Sequence, residues 1–109
     1  MSRDEIPHGL LELLILRTLA RAKQMHGFEI AEAVRTLSDD VLRVEEGSLY
    51  PALQRLLVGG ALEAKWGHTE ENHRARYYRL TAKGRRQLDQ ELARYRRVSA
   101  AIEGVLRPA

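Results

Sequence analysis

The spacing of the leucines in GSLYPALQRLLVGG, residues 47–60, constrains the fold more than any other feature of this chain. Leu49, Leu53, Leu56 and Leu57 stand at i, i+4, i+7 and i+8, which gathers them on one side of a helix. Ser48, Tyr50, Pro51, Gln54 and Arg55 are left on the other side. A short helix of this kind docks its leucines on a core and offers hydroxyl, amide and guanidinium groups outward, the set that bonds to base edges and phosphates. Pro51 is expected within about the first turn, where its missing N–H costs little. Gly59-Gly60 supplies permissive backbone that ends the helix. With ARYYRLTAKG at residues 75–84, the pattern is that of a recognition helix followed by a wing.

Composition permits this without requiring it. The 109 residues fit one domain with a modest core. Lysine and arginine number 18 against 15 acids, a net charge of +3, so nucleic-acid affinity must come from how charge is placed. No cysteine is present, which excludes disulfides and thiolate metal sites and fits a reducing compartment. The start, MSRDEIPHG, carries acids where a signal peptide carries basic residues, and no apolar run approaches the ~20 residues of a membrane span. The expectation is a soluble cytoplasmic protein with no membrane association.

Along the chain, Pro7 is expected to open a helix bearing Leu10, Leu11, Leu13, Leu14, Ile15, Leu16 and Leu19, apolar on more than one side and therefore buried between two layers. AKQMHG breaks it. A second helix is expected from Phe28 to Leu37, with Phe28, Ile30, Ala31, Val34 and Leu37 facing inward, then a turn at Ser38-Asp39-Asp40 and a short extended piece from Val41 to Val44. After Gly60, LEAKWGHT and ARYYRLT are the segments rich in aromatic or β-forming residues, separated by a polar stretch around Glu70 to Arg74 as by a hairpin tip. Thr81 suits the N-cap of a last helix.

That helix carries Leu88, Leu92, Tyr95, Ser99, Ile102 and Leu106 at alternating steps of four and three, an a/d seam with one small polar position. Packing of this helix on its own domain is the alternative. A helix of about 25 residues outruns a domain this small, however, and a two-fold dimer would bury its seam, with the multiply apolar first helix as the second contributor. The expected architecture is mainly α with a small β-wing: a winged helix-turn-helix unit over residues 1–81 and a C-terminal dimerisation helix over 82–109, forming one structural unit.

The blocks LLELLILRTLA, MHGFEIAEAV, GSLYPALQRLLVGGALEA and RYYRLTAKGRRQL, in this order over nearly the whole chain, resemble the PadR family of winged helix-turn-helix regulators in its short form. The LYPAL and YYRLT blocks, about 25 residues apart, are the specific part of the match. The family's wing usually carries a Gly-Arg-Pro-Arg type sequence, whereas this chain has His73-Arg74-Ala75-Arg76, which keeps both arginines and changes the turn. The resemblance implies a homodimeric transcription factor, usually a repressor, joined through Leu88, Leu92, Tyr95, Ile102 and Leu106. It would present two recognition helices to successive major grooves of double-stranded DNA.

From the residues, Gln54 and Arg55 are the candidates for base readout, since they can bond bidentately to adenine and guanine. Ser48 and Tyr50, beside Pro51, suit phosphate contacts. Arg74 and Arg76 suit the backbone or a minor groove. Glu45 and Glu46 favour the helix dipole but repel phosphate. Of Tyr77 and Tyr78, which alternate sides on a strand, at least one is expected in the core. Trp66 is read first as packing; a contact to a flat aromatic effector, which some family members bind, is the alternative. His8, His26, His68 and His73 lack metal-ligand spacing, and no cofactor or metal is expected. Lys83, Arg85 and Arg86 are read as solvated surface, with flanking phosphates as the alternative. No nucleophile-and-base or paired-carboxylate spacing indicates an enzyme. The rival class is a winged-helix protein-interaction module that has lost DNA binding.

Overall fold

Gly9 sets the start of the first helix. Its φ of +87° lies in the left-handed region, so the chain turns between Pro7 and Leu10, whose N–H donates to the Pro7 carbonyl at 3.1 Å. Helix α1 therefore covers Leu11–Ala20, later than the expected start at Pro7. The computed structural model describes residues 4–7 and 9–109, with backbone alone at Asp4; His8 lies outside the described residues. The order is β1 (Asp4–Glu5), α1, β2 (Met25–His26), α2 (Gly27–Leu37), β3 (Leu42–Arg43), α3 (Glu46–Val58), β4 (Leu62–His68), β5 (Arg74–Leu80) and α4 (Ala82–Leu106).

The apolar character of α1 on several sides has the expected consequence. Ile15, Leu16 and Leu19 are fully buried and join Leu13 with Ile30 of α2, Leu49, Ala52, Leu53 and Leu56 of α3, Leu62 and Tyr78 of the hairpin, and Leu88 of α4 in one core. Burying each large aliphatic side chain favours the fold by about 1.5–3 kcal/mol. Thr18 enters this core because its hydroxyl donates to the Leu14 carbonyl at 2.7 Å.

In α2, Ile30 and Val34 face the core, while Phe28 and Leu37, expected there, are exposed. Phe28 lies two positions before Ile30, which turns it to the far side of the helix. Leu37 falls in the last turn and points to solvent. The N-terminus is closed by a capping box: Glu29 N–H donates to His26 Nδ1 and His26 N–H to Glu29 Oε1. At the other end Arg35 binds both Glu32 and Asp40, which hold its pKa above the ordinary value, and Asp39 and Asp40 take left-handed φ in the expected turn.

Two pairings escaped the sequence. Met25-His26, within the segment expected only to break a helix, is the third strand of an antiparallel sheet of order β2-β5-β4, with Met25 opposite Tyr78 and His26 opposite Tyr77. The extended piece after α2 pairs in parallel with the N-terminal segment, Asp4 opposite Leu42 and Glu5 opposite Arg43. Strands of two residues carry too little periodicity to read.

Helix α3 buries Leu49, Ala52, Leu53 and Leu56, with Leu57 half-buried. Pro51 lies deeper than the first turn expected for it, because the helix begins at Glu46. Its ring removes the donor that would meet the Gly47 carbonyl. The helix ends where the glycine pair was expected to end it: Ala61 N–H returns to the Leu56 carbonyl and Gly60 N–H to Leu57, with Gly60 at φ +81°, a Schellman closure.

That closure abuts the start of α4. Thr81 caps α4 by accepting from Gly84 N–H at 3.0 Å and donates its hydroxyl proton to the Gly60 and Ala61 carbonyls. A Cβ on Gly84 would stand 2.1 Å from the Ala61 carbonyl oxygen and 2.8 Å from Leu80 Cδ1. Leu88 is buried and Leu92 packs against the core, so these two seam residues, expected at a dimer contact, anchor α4 to its own chain. From Tyr95 onward Val98, Ile102, Val105 and Leu106 are exposed. Gly84→Ala should lower stability by about 3 kcal/mol, the upper range for overpacking against backbone. Urea unfolding tests this; an unchanged midpoint would show that α4 can start elsewhere.

Candidate nucleic-acid interface

The buried stripe of α3 leaves Pro51, Gln54 and Val58 pointing away from the core, with Val58 78% exposed. The other outward residues divide between two flanks. Tyr50 leans toward α2, where its hydroxyl oxygen would be 2.8 Å from a Cβ on Gly27; the absence of that Cβ lets the ring sit over the first residue of α2. Ser48 and Arg55 lie on the opposite flank, against the N-terminal segment, in an open groove of about 700 Å³ also lined by Glu5, Glu12, Arg43 and Glu45.

Arg55 does not stand alone there. Its Nε donates to Glu12 Oε1 at 2.6 Å, joining the last turn of α3 to the first turn of α1. Nearby, Arg43 Nε meets Glu45 Oε1 at 2.8 Å, so the Glu45 charge, expected to repel phosphate, is paired. The two residues of the first pair are 43 positions apart, and no sequence period could associate them.

In the hairpin, strand alternation puts Leu62, Ala64, Trp66 and His68 on one face with their partners Leu80, Tyr78, Arg76 and Arg74. The base of this face closes the core, and toward the tip it continues into the open. The Arg74 guanidinium lies 4.3 Å from the centre of the Trp66 ring, and that of Arg76 lies 5.9 Å from the Tyr78 ring. Trp66, read first as a packing residue, is 58% exposed. Its position beyond the end of the core leaves Arg74 to cover it. Tyr78 is the core member of the tyrosine pair, and burial pushes its hydroxyl pKa up, so it stays neutral.

The opposite face braces the wing. Tyr77 lies over Gly67, donates its hydroxyl to the His68 carbonyl at 3.1 Å, and meets the His26 ring edge-on at 5.4 Å. Arg79 pairs with Glu63 across the strands at 2.6 Å. At the tip Thr69 N–H donates to the His73 carbonyl, and Asn72, at φ +64°, supplies the left-handed residue that makes the turn without a Gly-Arg-Pro-Arg sequence. Trp66, Arg74, Arg76 and Tyr78 line an open groove of about 1030 Å³ together with Tyr50, His26 and Phe28 and the acids Glu29, Glu70 and Glu71. No helix among the described residues is long and apolar enough to cross a membrane.

Core helix, two further helices in helix-turn-helix order, a hairpin wing and a long C-terminal helix define a winged helix-turn-helix protein. Residues 15–90 match the transcriptional regulator PadR-like family, and the chain belongs to that family. An uncharacterised protein of Lysinibacillus sphaericus is 28% identical over 103 residues, 94% of each chain. A transcriptional regulator from Clostridium thermocellum superposes with a TM-score of 0.82 at 25% identity, covering 91% of this chain and 95% of the other. A PadR family transcription regulator from Clostridium difficile gives 0.77 at 27% identity, covering 91% and 100%. The PadR-like transcriptional regulator of Bacillus cereus gives 0.77 at 26%, covering 93% and 95%.

Trp66 is the chain's single tryptophan, so its emission reports on the wing alone. Arg74→Ala should red-shift that emission in the free protein by admitting water to the ring, with an unchanged far-ultraviolet circular dichroism spectrum. An emission band that does not move would mean that Arg74 does not cover the ring in solution.

Proposed function

We propose that this PadR-family regulator is a homodimeric, cytoplasmic transcriptional repressor that binds a pseudo-palindromic operator. One observation carries the proposal: Tyr50 of α3 and the wing arginines Arg74 and Arg76 line the same open groove, which supports a duplex that meets the recognition helix and the wing together. In this reading Gln54 and Arg55 contact base edges in the major groove, and Ser48, Tyr50 and Pro51 settle the helix against the backbone. Arg74 and Arg76 take phosphates or the adjacent minor groove. A net charge of +3 gives little general attraction, so these placed cations supply the electrostatic part of binding.

Dimerisation is assigned to the free half of α4, within residues 82–109. Tyr95, Val98, Ile102, Val105 and Leu106 are exposed on a helix whose earlier turns are held to the core by Leu88 and Leu92. A second copy covering this end would set two recognition helices toward half-sites about 34 Å apart.

Fluorescence anisotropy against a duplex from upstream of the protein's own gene and a scrambled control, over a salt series, tests the reading. Tighter binding to the upstream duplex with a steep salt slope is expected, and Arg74→Ala and Arg76→Ala should each reduce the slope by about one. No binding to either duplex at low salt would favour a protein-interaction module. Arg55→Ala should lower operator discrimination more than non-specific affinity; an unchanged ratio would remove Arg55 from the readers. Ile102→Glu should give a monomer by sedimentation velocity and weaken operator binding at least tenfold, since both half-sites can then no longer be held together. A dimer that survives this change would place the interface elsewhere.

A further inference from the structure

We propose that Glu12 of α1 is a positioning residue for sequence readout: it holds Arg55 by Nε and leaves both terminal nitrogens free for one base. The proposal rests on the assignment of Arg55 as a base-reading group. Its geometric basis is independent of that assignment. Glu12 Oε1 accepts from Arg55 Nε at 2.6 Å, and neither Nη1 nor Nη2 of Arg55 has a partner among the described residues. A guanidinium bound this way presents the two parallel N–H donors that match O6 and N7 of guanine.

Both ends of the contact are fixed to the core. Glu12 precedes Leu13, Ile15 and Leu16, all buried, and Arg55 lies between Leu53 and Leu56, also buried. The Glu12 side chain is 30% exposed and that of Arg55 62%, so the acid stands behind and the arginine in front. An arginine already held in place loses less rotamer freedom when it binds. The acid also screens Arg55 from non-specific phosphate attraction, so the pair favours discrimination over general affinity. The adjoining pair of Arg43 and Glu45 is likewise neutralised, which leaves this flank of α3 with little net pull on phosphate.

The test uses the full-length protein and an operator selected by wild type from a random duplex pool, with a scrambled duplex as control. Glu12→Ala should reduce the operator-to-scrambled affinity ratio about tenfold, within the range for one bidentate base contact, while scrambled affinity holds or rises. Glu12→Gln keeps an oxygen for Nε and should retain most of the ratio. The double variant with Arg55→Ala should discriminate no worse than Arg55→Ala alone. If Arg55→Ala loses discrimination and Glu12→Ala keeps it, the positioning role is overturned while Arg55 remains a reader. Equal loss of both affinities in Glu12→Ala, with Glu12→Gln no better, would reduce the pair to a brace between helices and also overturn it. If Arg55→Ala itself keeps the ratio, the assignment of Arg55 fails first, and the proposal with it.

Discussion

Ile15, Leu16 and Leu19 of α1 have no solvent exposure, and side chains of α2, α3, the hairpin and α4 meet around them. A helix of ten residues holds four other parts of the chain in register because it is apolar on more than one side. Each functional surface is a by-product of that packing. Helix α3 presents Gln54 outward because Leu49, Leu53 and Leu56 are committed to α1 and its neighbours. The wing reaches past the core because Leu62, Ala64, Tyr78 and Leu80 hold its base there.

Placed charge, more than total charge, distinguishes this surface. Arg35, Arg43, Arg55 and Arg79 are each engaged with an acid, whereas Arg74 and Arg76 lie over aromatic rings and keep their charge available. Exposed ion pairs of this kind contribute only about 0–1 kcal/mol to stability. Their effect is on direction: they fix where long side chains point and reduce indiscriminate attraction to phosphate. An arginine over a ring is likewise restricted in orientation without being neutralised.

Helix α4 has two halves with different physical requirements. Its first turns need glycine at position 84, because the backbone of the Schellman closure of α3 lies against them, and they need Leu88 in the core. Its later turns expose Val98, Ile102, Val105 and Leu106, more apolar surface than an isolated helix end keeps solvated at no cost. The junction near Leu92 thus ties the orientation of the later turns of α4 to that of α3, through a continuous helix and a backbone contact.

Much of the molecule was legible in the chain itself because it rests on periodicity and local backbone chemistry. The leucine spacing of α3, the glycine pair that stops it, the Thr81 cap, the alternating hairpin and the PadR-type block order can all be read without coordinates. The short strand at Met25-His26 could not, since two residues become a strand only when β5 stands beside them. Phe28 and Trp66 looked like core residues, and only the limits of the packed core decided that they face solvent. The same holds for Leu88, which the seam assigns to a dimer contact and the packed core covers. The pair of Glu12 and Arg55 belongs to tertiary structure alone: the two residues lie 43 positions apart on separate helices, and only the packing of α1 against α3 brings them to 2.6 Å. Local sequence determines which elements form and which faces they bury, through interactions spanning a few residues. Contacts across the core depend on the relative placement of whole elements, which no single stretch of the chain encodes.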